Sequence, residues 1–311
     1  MTPDNDMNWQ TWAHASPVTG TVLRGWRTPP TGRPLLHFLH GNGFCGRVYE
    51  PLLQALALDF DLWLCDAPGH GDSEPTPTFL GWNRCAEAAL EAFEAGRAPY
   101  GDVPLMAMGH SFGGVQTALL LGTAGQPFRR AVLLDPVLFP PPMLLAAQLM
   151  GRAGTGLVNP LARATRRRRR EWPGRDQARQ ALRGRGTYQG WADAALDAFV
   201  THALRDGSEG QALLKCEPAL ESTIFSTVPQ RLWSHLRRID VPTLLLHGDA
   251  TMPFVRAGCA RAHAHNAPHL HVQVTAGGHC FMQQHPAETA ARVRAHLLGA
   301  QPASGPSTRI E

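Results

Sequence analysis

One pentapeptide constrains this chain more than any other feature: Gly109-His110-Ser111-Phe112-Gly113, set between two apolar segments. The run Val103–Met108 ahead of it reads as a buried strand, and Val115–Leu121 behind it has a helical period. A strand that gives way to a helix within so few residues must turn sharply. The turn drives Ser111 into a sparsely populated backbone conformation that aims its hydroxyl out of the sheet. Gly109 and Gly113 leave room for strand and helix to approach. The pentapeptide occurs by chance in many proteins, and its strand-turn-helix setting is what gives it meaning here.

The order of the surrounding elements suits that setting. From Leu35, short apolar runs alternate with helical patterns, the signature of a parallel sheet covered by helices on both faces. Strands are predicted at Leu35–His40, Phe60–Cys65, Val103–Met108 and Ala131–Leu134. Helices are predicted over Val48–Leu58 and Trp82–Ala95, and one or two edge strands within Gly20–Arg27. The rhythm stops at Pro140-Pro141-Pro142, where a long helix-like stretch poor in β-branched runs begins. It resumes with a strand at Val241–His247, a helix near Phe254–His263, a last strand at His271–Val274 and a last helix at Pro286–Leu298. Residues 1–139 and 239–300 thus form the predicted core, residues 140–238 an insertion into it, and residues 301–311 a polar tail expected to be disordered.

Composition narrows the function classes. With 311 residues, 43% of them apolar, the chain can fill one large α/β core. Much of its net charge of +4 sits in the run Arg166–Arg170. No aromatic residue interleaves that run, so it reads as a solvated face rather than a nucleic-acid site; an anionic substrate or a lipid surface would also suit it. The first residues, with Asp4 and Asp6, show no charged-then-apolar leader pattern, and no stretch is apolar for long enough to span a bilayer. The expectation is a cytoplasmic protein without stable membrane insertion. Cys45, Cys65, Cys85, Cys216, Cys259 and Cys280 are scattered with no CxxC pair, as reduced thiols are. His263, His265, His269 and His271 are numerous enough for a metal site, but they straddle a helix end, a proline-containing turn and a strand. Neither a metal nor another cofactor is expected.

A serine hydroxyl is a weak nucleophile at neutral pH, so Ser111 needs a general base, a group to orient that base, and donors for a developing oxyanion. The amide of Phe112, at the start of a predicted helix, suits one donor. Four motifs then stand together: His40-Gly41-Asn42-Gly43, Asp66-Ala67-Pro68-Gly69-His70-Gly71-Asp72-Ser73, Gly109-His110-Ser111-Phe112-Gly113-Gly114 and Gly278-His279. In this order, each at the end of a predicted strand, they resemble the α/β-hydrolase fold family over Gly20–Leu298. The resemblance implies an α/β fold with a mostly parallel eight-stranded sheet, helices on both faces, and a helical cap inserted after strand 6. The active site would lie at the carboxyl edge of the sheet. It further implies that the backbone of Asn42 supplies the second oxyanion donor and that His279, in the loop after the last strand, is the base. His40, His110, His247 and His285 have plainer readings in turns and at element ends.

The acid departs from the commonest pattern of the family. Similar hydrolases carry it after the seventh strand, three residues beyond a glycine; here that glycine is Gly248 and the position is Thr251, which has no carboxylate. Two candidates remain, Asp249 and Asp135 at the end of the sixth strand, where some family members do carry the acid. Asp135 is favoured because Asp249 suits a cap on the turn that starts the next helix. Asp66, Asp72 and Ser73 are read as fixing their Gly- and Pro-rich turn.

The resemblance therefore points to a serine hydrolase that cleaves a carboxylic ester or thioester of a small acyl substrate, through an acyl-enzyme on Ser111 with His279 and Asp135 as partners. Cofactor-free haloperoxidases and carbon-carbon bond hydrolases use the same triad and stay open as alternatives. So does a ligand-binding homologue of low turnover, which the missing carboxylate at Thr251 suggests. Within the insertion, Met143, Leu144, Leu149, Trp172, Trp191, Phe199 and Phe225 are candidates either to line a hydrophobic tunnel or to pack the cap together.

Overall fold

In a computed structural model, described over residues 7–299, the alternating pattern becomes one sheet with helices on both faces. The chain opens with β1 (Gln10–Ser16) and β2 (Thr21–Arg27), then runs through β3 (Leu35–Leu39), α1 (Glu50–Leu56), β4 (Asp61–Cys65), α2 (Trp82–Gly96), β5 (Leu105–His110), α3 (Phe112–Leu121) and β6 (Arg130–Leu134). An insertion follows: α4 (Pro141–Val158), α5 (Pro160–Arg166), β7 (Glu171–Trp172), α6 (Arg175–Leu182), α7 (Asp193–His202), β8 (Leu204–Asp206), β9 (Ala212–Leu214), α8 (Pro218–Phe225) and α9 (Leu232–Arg238). The chain closes with β10 (Thr243–Gly248), α10 (Pro253–His265), β11 (Leu270–Thr275), α11 (Phe281–Gln284) and α12 (Pro286–Leu297).

The 8-stranded sheet has the order β1-β2-β4-β3-β5-β6-β10-β11. Every pairing from β4 to β11 is parallel, while β2 runs antiparallel to both β1 and β4. This is the α/β-hydrolase fold expected from the sequence. Its cause is visible in the strand periodicity. On β3 and β5, Leu35, Leu39 and Ala107 enter one core cluster, whereas Leu36, Phe38, Met106 and Met108 enter the other. Both faces of the central strands are therefore apolar, and helices must cover both.

Two features differ from the sequence-based expectation. The sheet starts earlier than Gly20, at β1, whose residues Gln10–Ser16 alternate too weakly to signal a strand and are held by antiparallel register with β2. The insertion, expected to be helical, also holds a 3-stranded antiparallel sheet in the order β7-β9-β8. Strands of two or three residues carry no readable period. The insertion is tied to the core through His202 Nε2 to Glu50 Oε2 (2.8 Å), Lys215 Nζ to Asp72 Oδ1 (2.7 Å) and the Ala192 amide to Gln283 O (2.9 Å).

The tail expected to be disordered, residues 301–311, lies outside the described residues. Among the described residues, no helix is long and apolar enough to cross a membrane. All six cysteines are buried free thiols.

Candidate active site

Ser111 stands between β5 and α3, at the carboxyl ends of the parallel strands, where open α/β sheets collect their ligands. Its backbone sits at φ 52°, ψ −110°. Hydrogen bonds from the Ser111 amide to Leu134 O (3.0 Å) and from the Gly113 amide to His40 O (3.1 Å) hold the turn. Glycine is required on either side of it. A Cβ on Gly109 would lie 2.3 Å from Gly113 O, and one on Gly113 would lie 2.2 Å from Leu39 O. Both obstacles are backbone atoms that cannot swing aside.

From Ser111 a continuous chain of hydrogen bonds runs through two other loops. Ser111 Oγ donates to His279 Nε2 at 2.9 Å, and His279 Nδ1 donates to Asp135 Oδ2 at 2.5 Å. Asp135 is fully buried directly after β6, and its other partners are the Gly248 amide (3.0 Å, to Oδ1) and the Thr251 hydroxyl (2.5 Å, to Oδ2). Three donors converge on one carboxylate, an arrangement suited to an ionised, acceptor-only group. Asp135 also has a left-handed backbone, φ 42°. Among the described residues, Ser111, Asp135 and Arg231 are the non-glycine residues with positive φ. Two of those three belong to the same hydrogen-bonded chain, and such strain persists where the surroundings enforce it.

Asp249 does not join this chain. Its Oδ1 accepts the Gly277 amide at 2.9 Å, on the loop that leads to His279. Nor does it cap the turn before α10 as its place in the sequence suggested: the residue at that cap is Met252, with no side-chain bond. The Asp249 amide donates to Thr275 O (2.8 Å), which draws the residue toward the end of β11 instead.

The two nominated oxyanion donors, the amides of Asn42 and Phe112, belong to residues that line one cavity with Ser111 and His279. Among the described residues neither amide has an acceptor. Asn42 is clamped from the insertion, its Nδ2 donating to Glu221 O at 3.0 Å. A second network, not anticipated from the sequence, braces the same elements from behind. The Gly41 amide donates to Tyr49 Oη (3.0 Å), Tyr49 Oη donates to His110 Nδ1 (2.6 Å), and His110 Nε2 donates to His279 O (3.0 Å). Burial, aided by the nearby His279, holds the His110 pKa well below its ordinary value, so this ring remains a neutral strut.

The Asp66 loop is structural. Asp66 Oδ1 and Oδ2 accept the amides of Gly46 (2.8 Å) and Asp72 (3.1 Å), and Ser73 Oγ donates to Asp66 O (2.7 Å). Among the described residues no group of three or more metal-ligating side chains converges, His263, His265, His269 and His271 included.

The cavity, about 840 Å³, lies between the core and the insertion. Of the insertion residues singled out in the sequence, Met143, Trp172 and Phe225 line it; Trp191, Phe199 and Leu144 are buried elsewhere, and Leu149 is exposed. The arginine run is not uniformly solvated. Arg168 turns inward to line the cavity, with NH1 on the Glu221 carboxylate (2.7 and 3.0 Å) and NH2 on Tyr188 Oη (2.9 Å). Burial opposes its charge, but Tyr188 and Glu221 more than offset this and hold its pKa above the ordinary guanidinium value. A run of five like residues gives no sign along the sequence of which one turns in.

A family model described as the alpha/beta hydrolase family matches residues 38–292. Among curated relatives, the Abhydrolase domain-containing protein AKT2 of Alternaria alternata is 33% identical over 106 residues, 34% of this chain and 36% of that protein. Monoglyceride lipase of Mus musculus is 29% identical over 159 residues, 48% of this chain and 52% of the lipase. These matches thus span about a third to a half of each relative's length. Among solved structures, the peroxisomal alpha-beta-hydrolase Lpx1 of Saccharomyces cerevisiae superposes with a TM-score of 0.73 at 16% identity, over 97% of this chain and 92% of that one. At that identity the likeness concerns the fold alone.

Proposed function

The chain belongs to the alpha/beta hydrolase family, and on that premise we propose that it is a serine hydrolase that cleaves a carboxylic ester or thioester through an acyl-enzyme on Ser111. The observation that carries this reading is the chain Ser111 Oγ, His279 Nε2, His279 Nδ1, Asp135 Oδ2, with links of 2.9 and 2.5 Å. His279 takes the Ser111 proton as Oγ attacks the acyl carbon, and the Asn42 and Phe112 amides receive the negative charge on the carbonyl oxygen. The protonated imidazole, held by Asp135, then gives that proton to the departing alcohol or thiol. Water attacks the acyl-enzyme by the same route in reverse, and no cofactor is needed.

The insertion, residues 140–238, acts as the cap that shapes the acyl pocket. The cavity wall is largely apolar, with Trp172, Leu182, Ile224 and Phe254 among its residues, which favours an acyl chain over a highly polar substrate. A low-turnover binding protein was suggested by Thr251 in place of a carboxylate, and that ground weakens because the Thr251 hydroxyl bonds Asp135.

Turnover of p-nitrophenyl and thioester substrates of increasing chain length tests the proposal. We expect a burst of product matching the enzyme concentration and loss of turnover in Ser111→Ala. A purified protein that neither turns over these substrates nor is labelled by a fluorophosphonate would refute it.

A further inference from the structure

The first half of α4 is exposed and apolar, a combination that a soluble surface rarely tolerates. No charged residue occurs between Pro141 and Met150. Pro142, Leu145, Ala146 and Leu149, at spacings i, i+3, i+4 and i+7, all face outward, Leu145 at 58% and Leu149 at 80% exposure. Met143, Met150 and Leu161 extend the patch. Among the described residues, the large apolar side chains exposed elsewhere are only Leu58, Val274 and Leu298. The patch also reaches the cavity, because Met143 and Leu161 are both exposed and part of its lining.

Charge along this stretch of chain has one sign. From Pro140 to Arg170 the chain has no Asp or Glu, while Arg163, Arg166, Arg167, Arg169 and Arg170 are exposed, Arg170 alone of these paired among the described residues with a carboxylate, that of Glu217 (2.9 Å). Arg169 is fixed there, its Nε on Glu171 O (2.6 Å) and its guanidinium over the Trp172 ring. A second copy of the chain would satisfy the leucines but bring arginines against arginines. A neutral apolar partner would leave Arg163, Arg166, Arg167 and Arg169 without a counter-charge.

We propose that this face docks on an anionic lipid surface, with the apolar half of α4 lying in the headgroup boundary and the arginines on lipid phosphates. The mouth of the cavity then opens onto the acyl layer, and an apolar ester reaches Ser111 without crossing water. The delivery of substrate rests on the hydrolase reading; the docking does not.

The experiment is flotation of the full chain with vesicles of phosphatidylcholine, alone or with roughly 30% phosphatidylglycerol. Wild type and Ser111→Ala should both bind the anionic vesicles and release them at high salt. Arg166→Gln/Arg167→Gln should weaken binding about 25-fold, about fivefold for each arginine. Leu145→Asp/Leu149→Asp should weaken it at least about a hundredfold, by about the transfer energy of the two side chains. Both pairs should keep their melting temperature and their turnover of p-nitrophenyl acetate, a water-soluble ester. Three results would overturn the proposal: wild type that stays off anionic vesicles, binding indifferent to both pairs of substitutions, or a dimer in sedimentation that Leu149→Asp splits. If Ser111→Ala binds vesicles while wild type hydrolyses no ester, the catalytic reading falls and the docking stands.

Discussion

Replacing Asp135 by Asn removes one charge and turns one acceptor into a donor, at a site where three donors converge. The new amide oxygen can keep the Gly248 N–H, now at 3.0 Å from Oδ1, which leaves the NH2 facing His279 Nδ1 and the Thr251 hydroxyl. Thr251 can rotate and accept. His279 Nδ1 can accept only by losing its proton to Nε2, and an Nε2–H cannot take the proton of Ser111. The base is then in the wrong tautomer. Substitutions of this kind in serine triads lower kcat about 10⁴-fold, about 5.4 kcal/mol of transition-state stabilisation. The fold loses one charged hydrogen-bond set, about 1–3 kcal/mol, and should melt a few degrees lower but cooperatively. The assay is kcat/KM on a short p-nitrophenyl ester, with thermal melting alongside. Asp249→Asn serves as the comparison: that carboxylate is exposed and bonds only the Gly277 amide, so its loss should change kcat/KM less than about threefold. Asp135→Asn within tenfold of wild type, or Asp249→Asn falling as far as Asp135→Asn, would show that Asp135 does not orient the base.

The other expectations follow from single contacts. Thr251→Val keeps the shape but removes the hydroxyl on Asp135 Oδ2, so kcat should fall roughly tenfold with KM unchanged, while Thr251→Ser stays near wild type; equal kcat for Val and wild type would deny Thr251 a positioning role. Gly113→Ala places a Cβ 2.2 Å from Leu39 O and should abolish accumulation of folded protein, as read by soluble yield and thermal melting; a melt like that of wild type would refute the close-packing account of the turn. Burial pushes the Glu50 carboxyl up, but hydrogen bonds from His202 and Arg47 outweigh it and hold its pKa at about 2, below the ordinary 4.5. Its contribution to stability is therefore present above about pH 4.5 and fades as pH falls toward 2; in acid titrations monitored by circular dichroism, Glu50→Gln should lower stability at pH 7 and flatten this part of the curve.

Much of the fold was legible because burial leaves a signature in the chain. Strands covered on both faces must be continuously apolar, and β3, β4, β5, β6 and β10 could be found on that ground alone, with boundaries off by a residue or two. The elbow was legible because glycine is the only residue that fits at 109 and 113. What escaped depends on contacts between distant segments. β1 is a strand because β2 is beside it, and β7–β9 are too short to show a period. The inward turn of Arg168 depends on Glu221 and Tyr188, which are 53 and 20 residues away. Nothing in the local sequence marks those partners.

The choice between Asp135 and Asp249 shows why an acid is harder to read than a nucleophile. β6 and β10 are parallel neighbours with Leu134 beside Leu246, and the Asp135 amide donates to Leu246 O at 2.7 Å. The first residue past β6 and the loop after β10 therefore open onto the same few ångströms beside the His279 ring. A carboxylate arriving from either loop can meet the imidazole Nδ1, so the sheet defines a place for the acid without dictating which loop supplies it. The nucleophile has no such freedom, since the turn that presents it is enforced between Gly109 and Gly113 at the end of β5. Once Asp135 fills that place, position 251 needs a small donor that approaches the carboxylate rather than a second negative charge, and a threonine hydroxyl meets that need. The substitution that made the acid ambiguous in the sequence is, in space, the complement of the acid's position.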